Sequence, residues 1–573
     1  MKQIVLFFLF FLFTSQTAYA EFDIQFAIDQ AKAGDSIHIP AGRYQGNFIV
    51  KKPIKLYGQK GTELYAQNDE PVLKIEHATN VSIENLRITA KNKGIVANEM
   101  VNLELRAIEL KDIQVGIHIQ RSRHIRILEN KIIGNYSHFA EKGNGIAVFK
   151  SEDVAIEHNT IKQVQDGIYV EEVKRVDVQR NKVTNSRYGT HFMYSNGVKV
   201  LFNTYLQNVT GLMVMMTTNL EISSNTISTH NGFNSYGLMM YDTQEAMVRK
   251  NSFLHNRVGV ALQKSSVIQI QENRFQMNQT ALEGTKVDER STIMENQFTG
   301  NILTARSDNQ GLRLMHNFYD DYTGLDVAGD GFGDVPYVAV SSFGQWMVRQ
   351  PVYQFFVASP SVVILTSLDQ QINKTERNLL VDSEPKLMSN MKKTELSLNS
   401  KQLVIGLVVT ICSLWLWRRG DESMTRWITM LILCGVILVG CGEKAYHPRE
   451  INSETDVCKV CNMSIVHNEY AGQIVLKNGD YEIFDDIGCL MDYLKLNGDG
   501  EVGAAYIKNK ATNQWMDVYK AIYVYNKNYW TPMNYGVIAF ATKDEVQHWM
   551  NDEGEGQLLA YHDLLTLNWG IHE

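Results

Sequence analysis

The sequence predicts an all-β right-handed parallel β-helix, a solenoid in which each turn of the chain adds one coil. A Gly recurs, most often 22 residues apart, at Gly94, Gly116, Gly145, Gly167, Gly189, Gly211, Gly237 and Gly259. An Asn keeps the same interval, at Asn159, Asn181, Asn203, Asn225, Asn251 and Asn273. The residues one and three after each Gly are mostly apolar, as at Ile168 and Val170. Such alternation indicates short strands with one buried face, and repetition at this period is typical of a solenoid.

The two recurring residues have different expected roles at the corners of each coil. Glycine tolerates a positive φ, so we expect the Gly positions to be turns of that conformation. Asparagine side chains on successive coils can hydrogen-bond in a ladder along the solenoid axis.

The positions two and four after each Gly face outward in this fold and carry unusual residues. Strands on adjacent coils lie about 4.8 Å apart, so these side chains form two rows. One row contains His191, Met213 and Met239, and the other contains Met193, Met215 and Tyr241. Thioether sulfur and imidazole nitrogen suit Cu(I), so the rows predict a copper site. Contact with a partner protein and ordinary packing remain open as alternatives, because Met is common at adaptable surfaces.

Two longer loops, 131–144 and 226–236, interrupt the regular interval. Insertions at one corner of a solenoid overhang one edge of it. We therefore expect Tyr136, His138 and His230 to lean over the rows of Met and His.

The N-terminus carries an export signal. Residues 1–20 contain Lys2, an apolar run and a final Ala-Tyr-Ala, which is typical of a cleaved secretory signal peptide. The β-helix then occupies 21–360 and begins with an amphipathic helical segment at 22–33 that caps the first coil. This places the solenoid in the periplasm. The formal net charge of −8 provides no broad basic surface for nucleic acid.

A Gly-rich segment at 326–337 follows the regular coils. Asp326, Asp330 and Asp334 supply carboxylates that can bind a hard cation such as Ca²⁺. A capping turn, in which Asp and Gly serve the backbone, is the alternative.

Residues 361–400 form a predicted polar linker before two apolar segments. The first, 402–419, ends in two Arg residues and predicts a transmembrane helix with its basic end in the cytoplasm. The second, 424–440, is either a returning transmembrane helix or an internal lipoprotein signal that leaves Cys441 lipidated. Both interpretations return 441–573 to the periplasm and anchor the protein to the membrane.

The C-terminal segment 441–573, here called the tail, mixes strand and helix patterns, which predicts a small α+β domain. Its sulfur is concentrated at Cys458, Cys461 and Met463, with Met533 further along the chain. No second Cys pair or His pair completes a four-ligand zinc set, and a Cys, Cys, Met cluster suits Cu(I). The alternatives are a disulfide or redox-active pair at Cys458 and Cys461, and a place in the core for Met533.

Two family resemblances connect these motifs. The β-helix resembles the NosD family through its coils, through GTHFMYSN at 189–196 and through DVAGDGFGDVPY at 326–337. The tail resembles the NosL family through CKVCNM, FDD at 484–486 and TPMNYG at 531–536. Together they indicate a fusion of a NosD-like β-helix with a NosL-like copper-chaperone lipoprotein.

The resemblance implies a non-enzymatic role in maturation of nitrous oxide reductase. It implies delivery of Cu(I) to that periplasmic enzyme and docking of the β-helix on a membrane ABC transporter. The implied tail ligands are Cys461, Met463 and Met533, with Cys458 close by and Cys489 as an additional thiol.

Two functions of other classes are also compatible with a solenoid. A membrane-anchored carbohydrate-active β-helix enzyme would need paired acids on an outward face, whereas that face here carries Met, His and Tyr. A metal-free scaffold for a membrane transporter would use the Met rows as an apolar contact surface.

Overall fold

The computed structural model describes residues 22–339 except 136–141, 233 and 309–310, isolated positions between 343 and 365, then 380–387, and 446–567 except 454. It divides into two compact units, Met1–Leu387 and Met388–Glu573. The signal peptide, both apolar segments, Cys441, Tyr136 and His138 lie outside the described residues, as does most of the linker. No helix among the described residues is both long and apolar enough to cross a membrane.

The first unit is a parallel β-helix in which each coil adds one strand to each of three sheets. In the described residues the first sheet has 15 strands, in the order Ser36–Ile39, Lys55–Gly58, Thr79–Glu84, Val101–Arg106, Arg123–Leu128, Glu152–Glu157, Lys174–Gln179, Asn196–Leu201, Thr218–Ser223, Gln244–Arg249, Ser266–Gln271, Ser291–Met294, Leu312–Met315, Val381–Asp382 and Tyr337–Val338. The second has 13, Gly42–Gln45, Thr62–Tyr65, Arg87–Thr89, Glu109–Ile113, Lys131–Gly134, Thr160–Lys162, Lys182–Thr184, Thr204–Leu206, Thr226–Ser228, Ser252–Leu254, Arg274–Gln276, Gln297–Thr299 and Phe318–Tyr319. The third has 12, Phe48–Val50, Leu73–Glu76, Lys93–Asn98, Val115–Gln120, Ile146–Phe149, Asp166–Glu171, Tyr188–Met193, Thr210–Met215, Tyr236–Tyr241, Val258–Gln263, Thr280–Thr285 and Leu303–Ser307. The predicted parallel β-helix is confirmed.

The interior of the solenoid is filled by stacked apolar side chains. Aliphatic residues from all three sheets form one continuous core. Along the second sheet Phe253, Phe275, Phe298 and Tyr319 stack nearly parallel, with ring centroids 5.0 to 5.3 Å apart. Equivalent positions on successive coils therefore lie directly above one another.

The predicted Asn ladder is present inside the solenoid. The backbone N–H and side-chain amide of Asn181 both donate to the side-chain oxygen of Asn203, at 2.8 and 3.1 Å. The same pair of hydrogen bonds repeats along buried residues at every step of Asn130, Asn159, Asn181, Asn203, Asn225, Asn251, Asn273, Asn296 and Asn317. Each amide also donates to a backbone carbonyl, as from Asn203 to Val178. The ladder therefore satisfies corner groups that burial would otherwise leave unpaired.

The expected positive φ at the recurring Gly positions is wrong. None of these eight Gly residues has a positive φ, and the left-handed corners carry other residues, such as Arg180 and Phe202. The Gly is required by close approach instead. A Cβ on Gly167, Gly237 or Gly259 would lie 2.5 to 2.6 Å from a backbone oxygen of the next coil.

Both ends of the solenoid are closed within the described residues. The predicted N-terminal cap is the helix Ile24–Gln30. Asp23 is its N-cap residue, and Ile24 and Ile28 are buried in the core. At the other end the buried Asp382 carboxylate accepts hydrogen bonds from the backbone and side-chain N–H groups of Asn317 and from the Tyr319 hydroxyl, at 2.9 to 3.0 Å. The Asp382 carboxylate thus ends the ladder. It accepts from the N–H groups of Asn317, for which no further Asn follows in the ladder.

The tail is a separate α+β unit, as predicted. One antiparallel sheet has the order Tyr481–Phe484, Gly472–Leu476, Val502–Lys508 and Trp515–Asp517, and the other has the order Val537–Phe540, Ile522–Tyr525 and Gln557–Leu559. The described helices are Ile487–Asn497, Lys543–Glu553 and Tyr561–Thr566, with a 3₁₀ turn at Asn468–Tyr470.

Removing the carboxylate at the end of the ladder tests this account of the solenoid. Asp382→Ala leaves buried donors unpaired and is expected to lower the free energy of unfolding by about 3 kcal/mol. Asp382→Asn should cost less, because its amide oxygen can accept as in the rest of the ladder. Urea unfolding and hydrogen exchange of the last coils measure both changes, with the exposed Asp69→Ala as control. Equal stability of all three variants would contradict a role for Asp382 in closing the solenoid.

Candidate metal centres

The structure aligns the two predicted rows on the third sheet. His191 pairs with Met213, and Met213 pairs with Met239. In the second row Met193 pairs with Met215, and Met215 pairs with Tyr241. The predicted register is therefore observed across three successive coils.

The expected exposure of these rows is wrong. Met193, Met213, Met215 and Met239 are at most 1% exposed, and His191 is 2% exposed. All six residues of each strand that carries them are buried, whereas the neighbouring first sheet has exposed outward positions. Burial removes the apolar thioethers from water. It also excludes solvent from the imidazole of His191.

The imidazole of His191 is held by a buried ion pair. Asp166 Oδ2 lies 3.0 Å from His191 Nδ1. The two carboxylate oxygens of Asp166 also accept hydrogen bonds from Nε and a terminal nitrogen of Arg187, each at 2.7 Å. The Asp166 side chain is 1% exposed and that of Arg187 is 11% exposed. This arrangement fixes the ring with Nδ1 toward the carboxylate.

The charges in this group favour a neutral imidazole. Burial raises the pKa of Asp166, but Arg187 and His191 outweigh it and lower that pKa to about 2. Burial lowers the pKa of His191 against the opposing effect of Asp166. The Nδ1 proton therefore belongs on the side of the carboxylate, and Nε2 keeps its lone pair. Among the described residues this buried Nε2 has no hydrogen-bond partner. A carboxylate on one imidazole nitrogen and a vacant lone pair on the other are typical of a metal-binding His.

Tyr169 joins this group to the Met rows. Its hydroxyl lies 2.5 Å from a Glu171 carboxylate oxygen and 3.3 Å from the sulfur of Met193. Its ring contacts His191 edge to face at a centroid distance of 4.9 Å. Burial raises the pKa of Tyr169 well above its ordinary value, so the hydroxyl keeps its proton. Asp166 was not among the predicted site residues, although it directly precedes the recurring Gly167.

The expectation that His230 overhangs the rows is wrong. Its ring lies inside the solenoid, in a second polar ladder at the neighbouring corner. The backbone N–H of Asn208 donates to His230 Nδ1 at 3.1 Å, and the backbone N–H of His230 donates to Asn256 at 3.2 Å. Burial lowers the pKa of His230 to about 4. His230 thus takes a slot that Asn fills on adjacent coils. The interval predicts this slot, since Asn208, His230 and Asn256 each come five residues after an Asn of the main ladder.

The three Asp residues of the Gly-rich segment do not converge on one point. The Asp326 carboxylate accepts from the backbone N–H groups of Gly329, Asp330 and Gly331. The Asp334 carboxylate accepts from Val327 and that of Asp330 from Phe332. These contacts agree with the capping turn rather than with the calcium site expected at Asp326, Asp330 and Asp334. The carboxylates serve the backbone instead of facing a common cation.

In the tail the structure gathers three thiols and a carboxylate. The ligand atoms of Cys458, Cys461, Cys489 and Asp485 all lie within 4.8 Å of one another, and they form the one group of three or more His, Cys, Asp or Glu with metal-binding spacing in the described part of the chain. The three Cys are fully buried and unoxidised, and Asp485 is 3% exposed. Cys489, expected only as an additional thiol, thus lies beside the pair Cys458 and Cys461.

Backbone hydrogen bonds join the two predicted Met ligands to the segments that carry these thiols. The backbone N–H of Cys458 donates to the Met463 carbonyl at 2.8 Å, and Asn462 has a φ of 59°, which turns the chain back after Cys461. The Asp486 carboxylate begins the helix Ile487–Asn497 and also accepts from the backbone N–H of Met533, at 2.9 Å. Met463 and Met533 are 5% and 1% exposed. The tail therefore holds buried sulfur from three separate segments.

The acid–base state of the tail cluster favours one shared negative charge. Burial is the largest influence on each thiol and raises its pKa. At Cys458, hydrogen bonds with Cys461, Cys489 and Asp485 outweigh burial and hold the pKa well below the ordinary value. The pKa values of Cys461, Cys489 and Asp485 are raised well above their ordinary values, first by burial. A metal that binds here would displace the remaining protons.

Comparison with known families agrees with this division. A family described as periplasmic copper-binding protein (NosD) matches residues 137–324, and one described as right-handed β-helix region matches 66–205. The NosL family matches residues 448–566. The NosD match covers the coils that carry the Met and His rows, and the NosL match spans the thiol cluster.

Three similar proteins are of particular interest. A probable ABC transporter binding protein NosD from Stutzerimonas stutzeri is 24% identical over 376 residues, which cover 61% of this chain and 85% of the relative. Its counterpart from Pseudomonas aeruginosa is 23% identical over 380 residues, covering 61% and 87%. The solved copper chaperone NosL from Shewanella denitrificans is 17% identical, covers 21% of this chain and 96% of its own, and gives a TM-score of 0.19.

The matched families are accessory and chaperone proteins rather than enzymes. A single polypeptide thus matches the NosD family over part of its β-helix and the NosL family over its tail.

Proposed function

We propose that this protein is a copper chaperone and assembly factor that supplies Cu(I) to a periplasmic copper enzyme, nitrous oxide reductase. The observation that carries the proposal is the buried cluster of tail thiols, in which the sulfur atoms of Cys458 and Cys461 lie within 4.8 Å of each other. Both matched families belong to copper maturation of that enzyme, which supports the choice of metal and client. The metal is cargo in this role, and the protein performs no chemical conversion on it.

In the tail, Cys458, Cys461, Met463 and Met533 bind the Cu(I). Thiolate and thioether sulfur are soft donors, which select Cu(I) over harder cations. Their burial excludes water and oxidants from the ion. Hydrogen bonds from Cys461, Cys489 and Asp485 hold the pKa of Cys458 below its ordinary value, which favours a thiolate among these donors.

In the β-helix, His191 Nε2 and the sulfurs of Met193, Met213, Met215 and Met239 form a second Cu(I) site. All of these donors are neutral, whereas the tail donors include thiolates. A site of neutral donors binds Cu(I) without charge attraction from its ligands. It therefore releases the ion more readily than a thiolate site does. The β-helix site therefore suits a transfer step, and Asp166 positions His191 for it through Nδ1.

Burial of the rows favours this site over a metal-free scaffold. A scaffold that docks through its Met surface needs those side chains at the surface. Here the four Met are at most 1% exposed, and the buried His191 Nε2 is left for a ligand.

The remaining parts of the chain complete the proposal. A signal peptide at 1–20 exports the β-helix of 21–360, and the linker 361–400 leads to a membrane anchor at 402–419 and 424–440. Lipidation of Cys441 anchors the tail of 441–573. The NosD relatives are named for binding an ABC transporter, so we assign such a transporter as the membrane partner. A single chain raises the effective concentration of one copper site near the other unless processing at Cys441 separates them.

Replacing a tail thiol tests the first site. Cys461→Ser in the reduced full chain should weaken Cu(I) binding at the tail by more than about 10-fold, because it removes a soft ligand. Titration against a Cu(I) chelator measures the change. The control is Met550→Leu, which alters a sulfur that packs against a different part of the tail core. Unchanged Cu(I) binding by Cys461→Ser would refute the tail assignment.

The second site is tested by removing two sulfurs from the rows. Met213→Leu combined with Met239→Leu should abolish the Cu(I) equivalent bound by the β-helix while its fold persists, since Leu conserves volume. Met240→Leu is the matched control, because Met240 follows Met239 on the strand Tyr236–Tyr241 but faces the solenoid core. Equal copper stoichiometry in the double variant and the control would assign the rows to packing.

The tautomer of His191 offers a test without metal. With ¹⁵N-labelled histidine, NMR near neutral pH should show a protonated Nδ1 and an unprotonated Nε2, because Asp166 accepts from Nδ1 and burial disfavours the cation. His191→Gln identifies the resonance. A proton on Nε2 would rule out His191 as a ligand through that atom.

A further inference from the structure

The thiol cluster of the tail contains more donors than a Cu(I) site requires. Cys458 and Cys461 come from one turn, Cys489 from the first turn of the helix Ile487–Asn497, and Asp485 from the residue before the helix N-cap. The four ligand atoms lie within 4.8 Å of one another. No second Cys pair or His pair follows in the sequence to complete a zinc site. The fold supplies the missing two donors from a segment that begins 24 residues later.

The spacing of these donors fits a tetrahedral ion. Zinc binds thiolate sulfur at about 2.3 Å and carboxylate oxygen at about 2.1 Å, which places neighbouring ligand atoms about 3.5 to 4 Å apart. The observed limit of 4.8 Å needs only a slight contraction around the metal. Three thiolates and one carboxylate are also donor types that structural zinc sites use.

The carboxylate of Asp485 adds a hard donor to the three thiols. The Cys461 thiol donates to its Oδ1 at a sulfur–oxygen distance of 3.4 Å. Its Oδ2 is buried and makes no hydrogen bond of regular geometry with a described residue. The adjacent Asp486, by contrast, accepts from the backbone N–H groups of Gly488 and Met533. A hard oxygen among soft sulfurs favours a borderline divalent ion over Cu(I).

We propose that Cys458, Cys461, Cys489 and Asp485 form a four-donor site for a tetrahedral divalent cation of the Zn²⁺ class. This site shares Cys458 and Cys461 with the Cu(I) site but replaces Met463 and Met533 by Cys489 and Asp485. The two metals therefore exclude each other. A bound divalent cation holds the thiols apart as ligands, which protects them from disulfide formation outside the cytoplasm until Cu(I) displaces it.

A crossover of variants tests the proposal on the reduced full chain, with Zn²⁺ alone and with Cu(I) alone, each against a chelator. Cys489→Ser and Asp485→Asn should each weaken Zn²⁺ binding by at least about 10-fold, because zinc loses one of four ligands, and should change Cu(I) binding less. Met533→Leu should do the reverse. No Zn²⁺ binding by the unaltered chain, or Zn²⁺ binding indifferent to both Cys489→Ser and Asp485→Asn, would overturn the site.

A spectroscopic measurement on the unaltered chain decides the question even where a variant fails to fold. Co²⁺ in place of Zn²⁺ should give the intense visible bands of tetrahedral cobalt and thiolate charge transfer, and Cu(I) should remove both. Weak octahedral bands would overturn the proposal. Loss of Cu(I) binding with the cobalt spectrum intact would instead refute the copper function and leave this site standing.

Discussion

In-register hydrogen bonding between successive coils is the constraint on which the rest of the β-helix depends. Because each strand pairs with the same position of the next coil, equivalent side chains stack at the strand spacing of about 4.8 Å. That stacking excludes a Cβ at positions such as Gly237 and aligns the Asn ladder that ends on Asp382. The same register, and nothing local to any one coil, brings His191 beside Met213.

Both candidate metal centres use burial together with a carboxylate. In the β-helix, Asp166 holds one imidazole nitrogen of His191 and leaves the other with a lone pair. In the tail, Asp486 fixes the start of a helix and the backbone of Met533, while Asp485 stands among the thiols. The donor atoms are thus pre-positioned away from water, so binding a soft ion requires little rearrangement of the chain. Such a site can retain Cu(I) in an oxidising compartment.

Features that follow from periodicity were predictable from the sequence, whereas features that depend on tertiary contacts were not. A regular interval was enough for the β-helix, the Asn ladder and the alignment of the Met rows. The same interval gives His230 the inward position that Asn208 and Asn256 occupy on adjacent coils. Burial of the rows was not predictable, since a single strand does not show what packs on its outer face. Nor was the fourth donor of the tail, because Cys489 approaches Cys458 only through the fold.

The central claim is that buried sulfur in both halves of the chain exists to hold Cu(I). Copper K-edge X-ray absorption of the reduced, copper-loaded full chain tests it most directly, because it reports the atoms bonded to the metal. The account predicts a first shell dominated by sulfur, with a minor imidazole contribution that disappears in His191→Gln. A shell of nitrogen and oxygen alone would contradict it.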